Sequence, residues 1–231
     1  MRLVAWNIRQ GGGSRLPRIA EALRRHDAEI LVLSEYRGGA SAMRLLAALD
    51  ALGYRYATTL APPLGRPGVL IAARGPFEEH GRVDGLAEPC RLVSVAFGSF
   101  RLVGVYMPNL LAKIPYWEAL ITTLCTGCTG PALAIGDFNT CRPYLDEAGA
   151  IDRCAYFMDR IAEAGFCDLW RRRNPELREY SWFSTRGNGF RIDHAFLSPG
   201  LAECAGPIRY AHEERLAGLS DHSPLILELE I

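Results

Sequence analysis

The sequence has almost no lysine and no excess of charge of either sign. Lys113 is the single lysine, and 26 basic residues balance 26 acidic residues to give a formal net charge of zero. A protein without net charge has no overall field that draws it to nucleic acid or to an anionic membrane, so any contact with a polyanion has to be local. The use of arginine is explained most simply by genome base composition, although arginine also suits bidentate phosphate contacts.

Long hydrophobic runs are also absent. No apolar stretch approaches the length of a membrane span, and the chain opens on MRLVAWNI, without a basic leader and a cleavage site. We therefore expect neither membrane insertion nor secretion.

Cysteine is present, but in a pattern that disfavours a complete disulfide framework. The seven cysteines are scattered and odd in number, which favours a reducing compartment and predicts a cytoplasmic protein. Cys125 and Cys128 form a C-x-x-C pair, but no second pair or nearby histidine pair completes a zinc site. Buried free thiols are the favoured interpretation of both.

The length and composition predict one domain that spans residues 1–231. The chain is 49% hydrophobic and 23% charged, as in ordinary globular proteins, and no long linker or repeat divides it. Apolar runs typical of buried strands alternate with amphipathic helices, and consecutive strands follow from about Tyr54 to Tyr106. This order predicts a four-layered α/β sandwich, with two mixed β-sheets packed face to face and flanked by helices. The predicted strands are residues 3–6, 30–33, 69–72, 92–97, 102–106, 132–135 and 225–229.

Polar side chains that can bind metal or phosphate stand at the ends of six of these apolar runs. They are Asn7, Glu35, Tyr106 with Asn109, Asp137 with Asn139, Asp193, and Asp221 with His222. Strand ends in packed sheets cluster along common edges, so we expect these side chains to converge on one crevice. Carboxylate and amide oxygens suit a hard divalent cation such as Mg²⁺, and a histidine beside them suits a phosphoryl oxygen.

Each of these residues also has a purely structural alternative. Asparagines satisfy turn backbones, and carboxylates cap helices or pair with arginines. Tyr106 could equally be a half-buried strand residue. These alternatives are plausible one at a time, but together they would have to explain the whole ordered set.

Read in order, the motifs WN, LVLSE, YMPN, GDFN, RID and SDH resemble those of the endonuclease/exonuclease/phosphatase superfamily, which contains metal-dependent phosphodiesterases and phosphatases. The similarity extends from Asn7 to His222. Residues 157–198 look most like the corresponding segment of exonuclease III and the related abasic-site endonucleases.

The resemblance implies a metal and a water-activating group. Glu35 would ligate Mg²⁺ or Mn²⁺, and Asn7 and Asp221 would lie close to the metal or its water shell. Asp137 would orient or deprotonate the attacking water, and Asn139 would help to position water and phosphate.

The resemblance also implies a set of phosphate contacts. Tyr106 and Asn109 would contact the phosphate and the charge that develops on it. His222 would bind or polarise the phosphoryl oxygen, and Asp193 would orient its imidazole.

In the nucleic-acid branch of the superfamily, an apolar pocket accepts a flipped, base-less sugar. Trp182, Phe190 and Ile192 stand at the matching places, although ordinary core packing explains them equally well. Three consecutive arginines are candidates for contacts with DNA backbone phosphates, with a solvated face as the alternative: Arg171, Arg172 and Arg173.

The sequence departs from the family pattern at several places. Arg9 stands where many nucleases of this branch carry a small, polar or acidic residue. The loop from Ser184 to Gly189 is shorter than the family's DNA-inserting loop, and the region between Glu35 and Val69 is abbreviated. His194 replaces a usual aromatic residue and is interpreted as a packing substitution.

The leading functional hypothesis is a Mg²⁺-dependent, monomeric phosphodiesterase that acts on duplex DNA, cuts beside abasic sites and trims 3′ ends. A phosphoesterase of the same superfamily that acts on a small-molecule or lipid phosphate is one alternative, favoured by the neutral charge and the short loop. A non-catalytic nucleic-acid-binding module is another, although no principal acidic or histidine position is missing.

Overall fold

Two six-stranded β-sheets pack face to face in the computed structural model, which describes residues 1–60, 62, 65–80, 83, 85–126, 130–148 and 150–231. The first sheet has the order β13 (Ala205–Tyr210), β14 (Leu225–Leu229), β1 (Arg2–Asn7), β2 (Ile30–Arg37), β4 (Pro67–Ala73) and β3 (Tyr56–Thr58). The second has the order β5 (Glu78–His80), β6 (Leu92–Phe97), β7 (Phe100–Tyr106), β8 (Ala132–Asp137), β12 (Asp193–Leu197) and β9 (Cys167–Asp168). A small hairpin joins β10 (Trp182–Phe183) to β11 (Gly189–Phe190).

Each sheet is mixed because one parallel pair lies among antiparallel neighbours. The pair β1–β2 is parallel in the first sheet, and β7–β8 is parallel in the second. The other pairings of the two sheets are antiparallel. Parallel neighbours need a crossover, and helices supply it in both places.

The helices form the two outer layers. Between β1 and β2 runs α1 (Leu16–His26), which packs with α2 (Ala40–Ala51) on the outer face of the first sheet. Between β7 and β8 runs α3 (Ile114–Thr126), which packs with α4 (Phe157–Glu163) on the outer face of the second sheet. Shorter helices are α5 (Leu169–Arg173), α6 (Pro199–Glu203) and α7 (Glu213–Leu216). This arrangement confirms the predicted four-layered sandwich.

Two details differ from the sequence expectation. The sequence predicts an apolar stripe of Met43, Leu46, Ala47 and Leu49 on α2, but the buried residues are Ala42, Leu45 and Leu49, and Met43 is 74% exposed. The helix therefore packs one residue out of phase with the predicted stripe, because its alanines made both faces apolar. Cys125 is exposed rather than buried, and Cys128 lies outside the described residues.

Gly104 of β7 lets the two sheets approach closely. A Cβ atom at this position would lie 2.8 Å from Val69 Cγ1 and 3.0 Å from Val32 Cγ1, both in the first sheet. The valines that fill this space belong to the continuous apolar core between the sheets. Any larger residue at this position would push the sheets apart and widen the edge where the polar side chains meet.

A buried arginine ties the second sheet to the loops beside it. Arg191 is fully buried; its Nε donates to Asp146 Oδ1 at 2.7 Å and its Nη2 donates to Asp168 Oδ2 at 2.6 Å. Burial alone would raise the pKa of the Asp168 carboxyl, but the charge of Arg191, with help from His194, holds it well below its usual value. The pKa of Asp146 is lowered in the same way.

Among the described residues, no helix has the length and apolarity that a bilayer crossing requires.

Loss of one carboxylate from this buried cluster should be strongly destabilising. We expect Asp168→Asn to lower the free energy of unfolding by about 3–5 kcal/mol, because it leaves Arg191 buried with reduced compensation. Urea unfolding measures the change. Glu21→Gln removes an exposed partner of Arg24 and should leave the midpoint unchanged; equal effects of the two substitutions would contradict the role of burial.

The same cluster should make stability depend on acid. Because the folded pKa values of Asp146 and Asp168 lie below the ordinary value of 3.8, their contribution is complete above about pH 4 and is lost as the pH falls through the folded values. The unfolding midpoint of Asp168→Asn should therefore fall less than that of the natural chain between pH 5 and pH 3, roughly the range where free aspartate titrates.

Candidate active site

The carboxyl ends of the two parallel strand pairs meet at one edge of the sandwich. Asn7, the last residue of β1, lies beside Ser34 of β2. In the second sheet, Tyr106 at the end of β7 lies beside Asp137 at the end of β8. Asp193 begins β12 directly across from Asp137, because these two strands are antiparallel. The registers of both sheets thus bring distant parts of the chain to one place.

Glu35 reaches this edge because β2 bulges. The pairing of β2 with β4 shifts register between Ser34 and Tyr36, and Glu35 has a φ of 57°. Such a left-handed conformation costs a non-glycine residue about 1 kcal/mol. Hydrogen bonds fix the side chain: Oε2 accepts from the Gln10 backbone N–H at 2.6 Å and Oε1 accepts from Asn7 Nδ2 at 3.2 Å.

The Asn7 side chain links the two sheets. Its Nδ2 donates to Glu35 Oε1 of the first sheet and, at 2.9 Å, to Asp137 Oδ2 of the second sheet. Its Oδ1 accepts from the Arg9 backbone N–H at 2.9 Å. The amide is buried and its donors and acceptor are engaged, so its orientation is fixed.

The segment around Asp137 combines a close strand contact with a tight turn. Gly136 has a φ of 143°, and a Cβ atom there would lie 2.1 Å from the Val105 carbonyl oxygen, so only glycine fits. Asn139 has a φ of 47°, and its backbone N–H donates to Asp137 Oδ1 at 2.9 Å. The Asn139 amide donates to the Met107 carbonyl at 2.8 Å. Asn139 is therefore a turn former that also fixes the buried carboxylate of Asp137.

His222 is held between two carboxylates. Its Nδ1 lies 2.8 Å from Asp193 Oδ2, and its Nε2 lies 3.9 Å from Asp137 Oδ2. Its backbone carbonyl accepts from Trp6 Nε1 at 3.0 Å, which anchors the residue to β1. The hydrogen bond to Asp193 fixes the imidazole so that Nε2 faces Asp137.

Burial and charge set the protonation of this group. Burial raises the pKa of the Asp137 carboxyl to about 7, against the opposing charge of His222 and with support from Asp193. Burial disfavours the imidazolium, but the carboxylates of Asp193 and Asp137 outweigh it and raise the pKa of His222 to about 10. The physical cause is that two buried carboxylates share one cation, so one of them binds a proton more readily than usual.

These side chains line a cavity of about 620 Å³. Its polar lining includes Glu35, Tyr106, Asn109, Asp137, Asn139, Asp221 and His222, and part of its apolar lining is Trp182, Phe190 and Ile192. Every residue proposed from the strand ends therefore lies at this cavity or, as for Asn7 and Asp193, bonds directly to a residue that lines it. The Trp182 and Phe190 rings lie 5.5 Å apart, and Trp182 Nε1 donates to Asp221 Oδ2 at 3.3 Å.

The sequence model of the Endonuclease/Exonuclease/phosphatase family matches residues 4–222. The chain belongs to this family. Its members are hydrolytic nucleases and phosphatases, so the chain is a hydrolase of phosphate esters. This result disfavours the alternative of a non-catalytic nucleic-acid-binding module.

Several solved structures share the fold over the full length of both chains. A 3′ phosphatase from Neisseria bound to a product DNA hairpin is 24% identical, with a TM-score of 0.87. An AP endonuclease from Archaeoglobus fulgidus is 22% identical, also with a TM-score of 0.87, and a 3′–5′ exonuclease from Neisseria meningitidis is 24% identical at the same score. No curated protein matches the chain. The expected likeness to exonuclease III and the abasic-site endonucleases is confirmed at the level of fold.

Enzymes of this family generally depend on a divalent metal, and two groups of side chains come into question here. Asp137, Asp193 and His222 have ligand atoms within 4.8 Å of one another. Since His222 Nδ1 bonds to Asp193 and the imidazole is favoured in its charged form, this group is better described as a hydrogen-bonded triad. The carboxylates of Glu35 and Asp221 face the cavity and offer the hard oxygen donors that Mg²⁺ or Mn²⁺ prefers.

Asn7 fits this metal group as a neighbour rather than as a ligand. Its amide nitrogen donates to Glu35 and to Asp137, and its oxygen accepts from the Arg9 backbone N–H. Arg9 itself lies with Nε 3.9 Å from Asp221 Oδ2, so a positive charge occupies part of the space beside that carboxylate.

The arginine triplet does not line the cavity. Arg171 is buried; it pairs with Asp146 and donates to the carbonyls of Asn174 and Leu177, so the expected phosphate contact is wrong for this residue. Arg173 is exposed, and its guanidinium donates to the carbonyls of Ala205 and Gly206. Arg172 is exposed and keeps its prediction.

The other departures from the family pattern are also explained locally. Residues 184–188 close the short β10–β11 hairpin, in which the Ser184 N–H donates to the Asn188 carbonyl at 2.8 Å. His194 is fully buried between Phe138 and Phe196, with Nε2 2.8 Å from the Thr140 carbonyl. The interpretation of His194 as a packing residue therefore holds, with an added polar contact.

Several residues at or behind the cavity escaped the sequence analysis. Arg91 stacks over the Tyr106 ring at 4.6 Å, while burial raises the pKa of that phenol far above its usual value. Lys113 is 2% exposed, lines the cavity and pairs with Asp152 at 2.7 Å. In the sequence, Lys113 could have been noticed only because it is the single lysine, and nothing in the sequence pointed to Arg91.

The Asp193 carboxylate should control the charge of His222. In the metal-free protein we expect Asp193→Asn to lower the pKa of His222 from about 10 to below about 9, because the imidazolium loses its closest anion. Imidazole ¹H–¹⁵N NMR spectra recorded against pH in EDTA measure it. Asp221→Asn, which removes a more distant charge, serves as the matched control, and an equal fall in both variants would contradict the assignment.

Proposed function

We propose that the chain is a divalent-metal-dependent phosphodiesterase of DNA repair that cuts duplex DNA beside abasic sites, removes nucleotides from 3′ ends, or does both. The observation that carries this proposal is the buried Asp137 carboxylate, fixed by Asn7 and Asn139 at the floor of a cavity whose wall includes Trp182 and Phe190. A fixed carboxylate suits water activation, and an aromatic wall suits a sugar without its base.

Asp137 takes the role of general base in this proposal. A carboxyl whose pKa is raised toward 7 can accept a proton from water in the transition state at physiological pH. The peptide N–H of Asn139 holds Oδ1 and the amide of Asn7 holds Oδ2, so the carboxylate cannot rotate away. Asn139 would position the water and the phosphate from the same turn.

The phosphate would lie against donors on the remaining walls. His222, held by Asp193, presents Nε2 as a charged donor to a phosphoryl oxygen. Tyr106 is kept neutral by its raised pKa, so its hydroxyl can donate rather than repel an anion. Asn109 lines the same cavity and adds an amide donor. Fixed donors of this kind stabilise the charge that develops on the phosphate during in-line attack.

Glu35 and Asp221 would hold Mg²⁺ or Mn²⁺, with Asn7 orienting Glu35. When bound, the metal supplies Lewis-acid stabilisation of charge on the phosphate and the leaving oxygen. The role of this chain's residues is to hold the two carboxylates at the cavity: the Gln10 backbone N–H donates to Glu35 Oε2, and Trp182 Nε1 donates to Asp221 Oδ2.

DNA as the substrate is supported by the similar solved structures, one of which is bound to a product DNA hairpin. Trp182, Phe190 and Ile192 form the candidate pocket for the base-less sugar. Their partial exposure favours a ligand-contacting role over pure core packing for the two aromatic rings. A normal nucleotide carries a base that this wall would exclude by shape, which is the proposed basis of selectivity.

The wider assignments belong to the same proposal. Cys125, Cys141, Cys154, Cys167 and Cys204 carry free thiols, which supports a reducing compartment such as the cytoplasm. A single domain that acts as a monomer on DNA is the simplest form consistent with a cavity lined by one chain.

Loss of the Asp137 carboxylate should abolish cleavage while leaving the fold intact. On a duplex with an internal abasic analogue and Mg²⁺, we expect Asp137→Asn to lower kcat about 100-fold to 10,000-fold, the range of a lost general base. Asp50→Asn, which changes an exposed carboxylate on α2, serves as the control. Unimpaired cleavage by Asp137→Asn would remove its assigned role.

The same assay decides the substrate class. The natural chain is compared on the abasic duplex, on an intact duplex with a free 3′ end, and on phospholipid vesicles. Cleavage of the lipid alone would overturn the DNA assignment and favour the lipid phosphoesterase alternative.

Glu35 should govern the demand for metal. We expect Glu35→Gln to raise the Mg²⁺ concentration for half-maximal activity by at least about tenfold, because a direct ligand loses its charge. Cleavage rates measured against Mg²⁺ concentration test this, with Glu203→Gln on α6 as the control. EDTA should abolish activity in every variant, and a metal requirement that Glu35→Gln leaves unchanged would contradict the ligand assignment.

A further inference from the structure

The cavity has a second apolar part that the proposed function leaves unused. Leu110 and Leu111 follow β7, and Ile151 follows β8; all three line the cavity and are 81%, 44% and 60% exposed. They lie on different loops from the Trp182 hairpin, and they line the same cavity as the polar side chains of Asp137 and His222. Large apolar side chains left exposed together beside a reactive site commonly mark a contact with a ligand.

The turn that carries the leucines is strained and held from below. Leu110 has a φ of 55°, a conformation that is unfavourable for a branched side chain. Buried Lys113, at the end of the same turn, donates to the Asn139 carbonyl and pairs with Asp152. The Cys154 thiol donates to the Leu110 carbonyl at 3.8 Å. Backbone strain maintained by such anchors is typical of segments that position a side chain for a ligand.

A positive charge stands beside these apolar residues. Arg153 is exposed, lines the cavity and follows Ile151 by two residues. Within the described part of the chain its guanidinium has no hydrogen bond or ion pair, whereas Arg171 and Arg173 are committed to protein groups. The four residues Leu110, Leu111, Ile151 and Arg153 together form what we call the leucine rim.

We propose that the leucine rim binds the second nucleoside of the scissile phosphodiester, the one that does not occupy the Trp182 pocket. The apolar side chains would pack against the face of an unstacked base, and Arg153 would contact the next phosphate along the strand. This inference rests on the proposed function and deepens it: the site is built for a phosphodiester with a substituent on both sides.

The chemistry of the rim favours this occupant over simpler ones. A phosphate monoester carries one organic substituent, whereas a phosphodiester carries two and can occupy the Trp182 pocket and the leucine rim at the same time. A nucleotide offers an apolar base face and an anionic phosphate on one unit, which matches three aliphatic side chains beside one arginine. Lys113 anchors the turn, which favours a defined subsite over a non-specific apolar surface.

The first test compares two abasic duplexes that differ only in the bases beside the abasic site. The natural chain, Leu110→Ala/Leu111→Ala and Leu110→Asn act on a duplex with one internal abasic analogue and on a matched duplex in which the nucleosides on both sides of that analogue also lack their bases. On the first duplex we expect kcat/KM of the variants to fall about 5-fold to 100-fold, the range of one lost base contact, whereas on the second, which offers the rim no base, it should stay within about twofold of the natural chain. Asparagine tolerates the left-handed conformation, so Leu110→Asn removes the apolar surface without adding strain.

Met43→Ala on α2 is the matched control, because it removes an equally exposed apolar side chain from the outer face of the first sheet. Equal losses on the two substrates would overturn the inference, because they would show that the turn only supports the floor. Unchanged rates on both substrates would overturn it as well. If the double variant does not fold, the result with Leu110→Asn decides.

The second test isolates Arg153. For cleavage of the duplex with one abasic analogue, we expect Arg153→Gln to reduce the slope of log kcat/KM against log salt concentration by about one, as for one lost phosphate contact. Arg44→Gln, on α2, should leave the slope unchanged. A slope unaltered by Arg153→Gln would overturn the phosphate contact.

These outcomes are separable from failure of the proposed function. A natural chain that cleaves neither duplex, or that cleaves only phospholipid vesicles, would refute the DNA assignment and the rim inference together. If the natural chain cleaves the duplex with one abasic analogue and the rim variants cleave it with the same kcat/KM, the rim inference alone is refuted.

Discussion

The side chain of Asn7 is the contact on which the geometry of the site depends. Its nitrogen donates to a carboxylate of each sheet, Glu35 in the first and Asp137 in the second. Two sheets joined only by apolar packing could slide by fractions of an ångström, since hydrophobic contacts are not directional. One buried amide with every bonding position filled fixes the distance between the two carboxylates, and therefore between the proposed metal group and the proposed water-activating group.

Around this contact, the fold concentrates unfavourable local conformations. Glu35 and Asn139 have left-handed backbones, and Gly136 passes so close to Val105 that no side chain fits. Two carboxylates and one imidazole are buried together, which raises the pKa of Asp137. Such features cost stability, and the remaining structure has to offset them. The apolar core between the sheets is the part that can do so, because burial of apolar surface is the main favourable contribution to folding.

The sequence was informative where function and local pattern coincide. Polar residues at the ends of apolar runs could be identified because a strand that leaves its sheet exposes its last side chain, and the structure brings that set together at one cavity. The layers of the sandwich could be predicted for the same reason: periodicity and element order are local. Arg171 could not be assigned correctly, because its partner Asp146 lies 25 residues away and only folding reveals the pair. The buried face of α2 was predicted wrongly because alanine fits a buried or an exposed face equally well.

The walls of the cavity, more than its floor, decide which phosphate ester this chain can hold. The floor consists of groups that any phosphate ester requires: carboxylates, amides and one imidazole. Such a floor cannot by itself choose between a monoester and a diester, because both place the same phosphorus and oxygens against it. Selectivity has to come from the groups bonded to those oxygens, and hence from side chains farther out. The Trp182 hairpin and the leucine rim lie on loops, whose lengths and residues can change without disturbing the Asn7 contact. The substrate of this hydrolase is therefore to be sought in the contacts of those two loops.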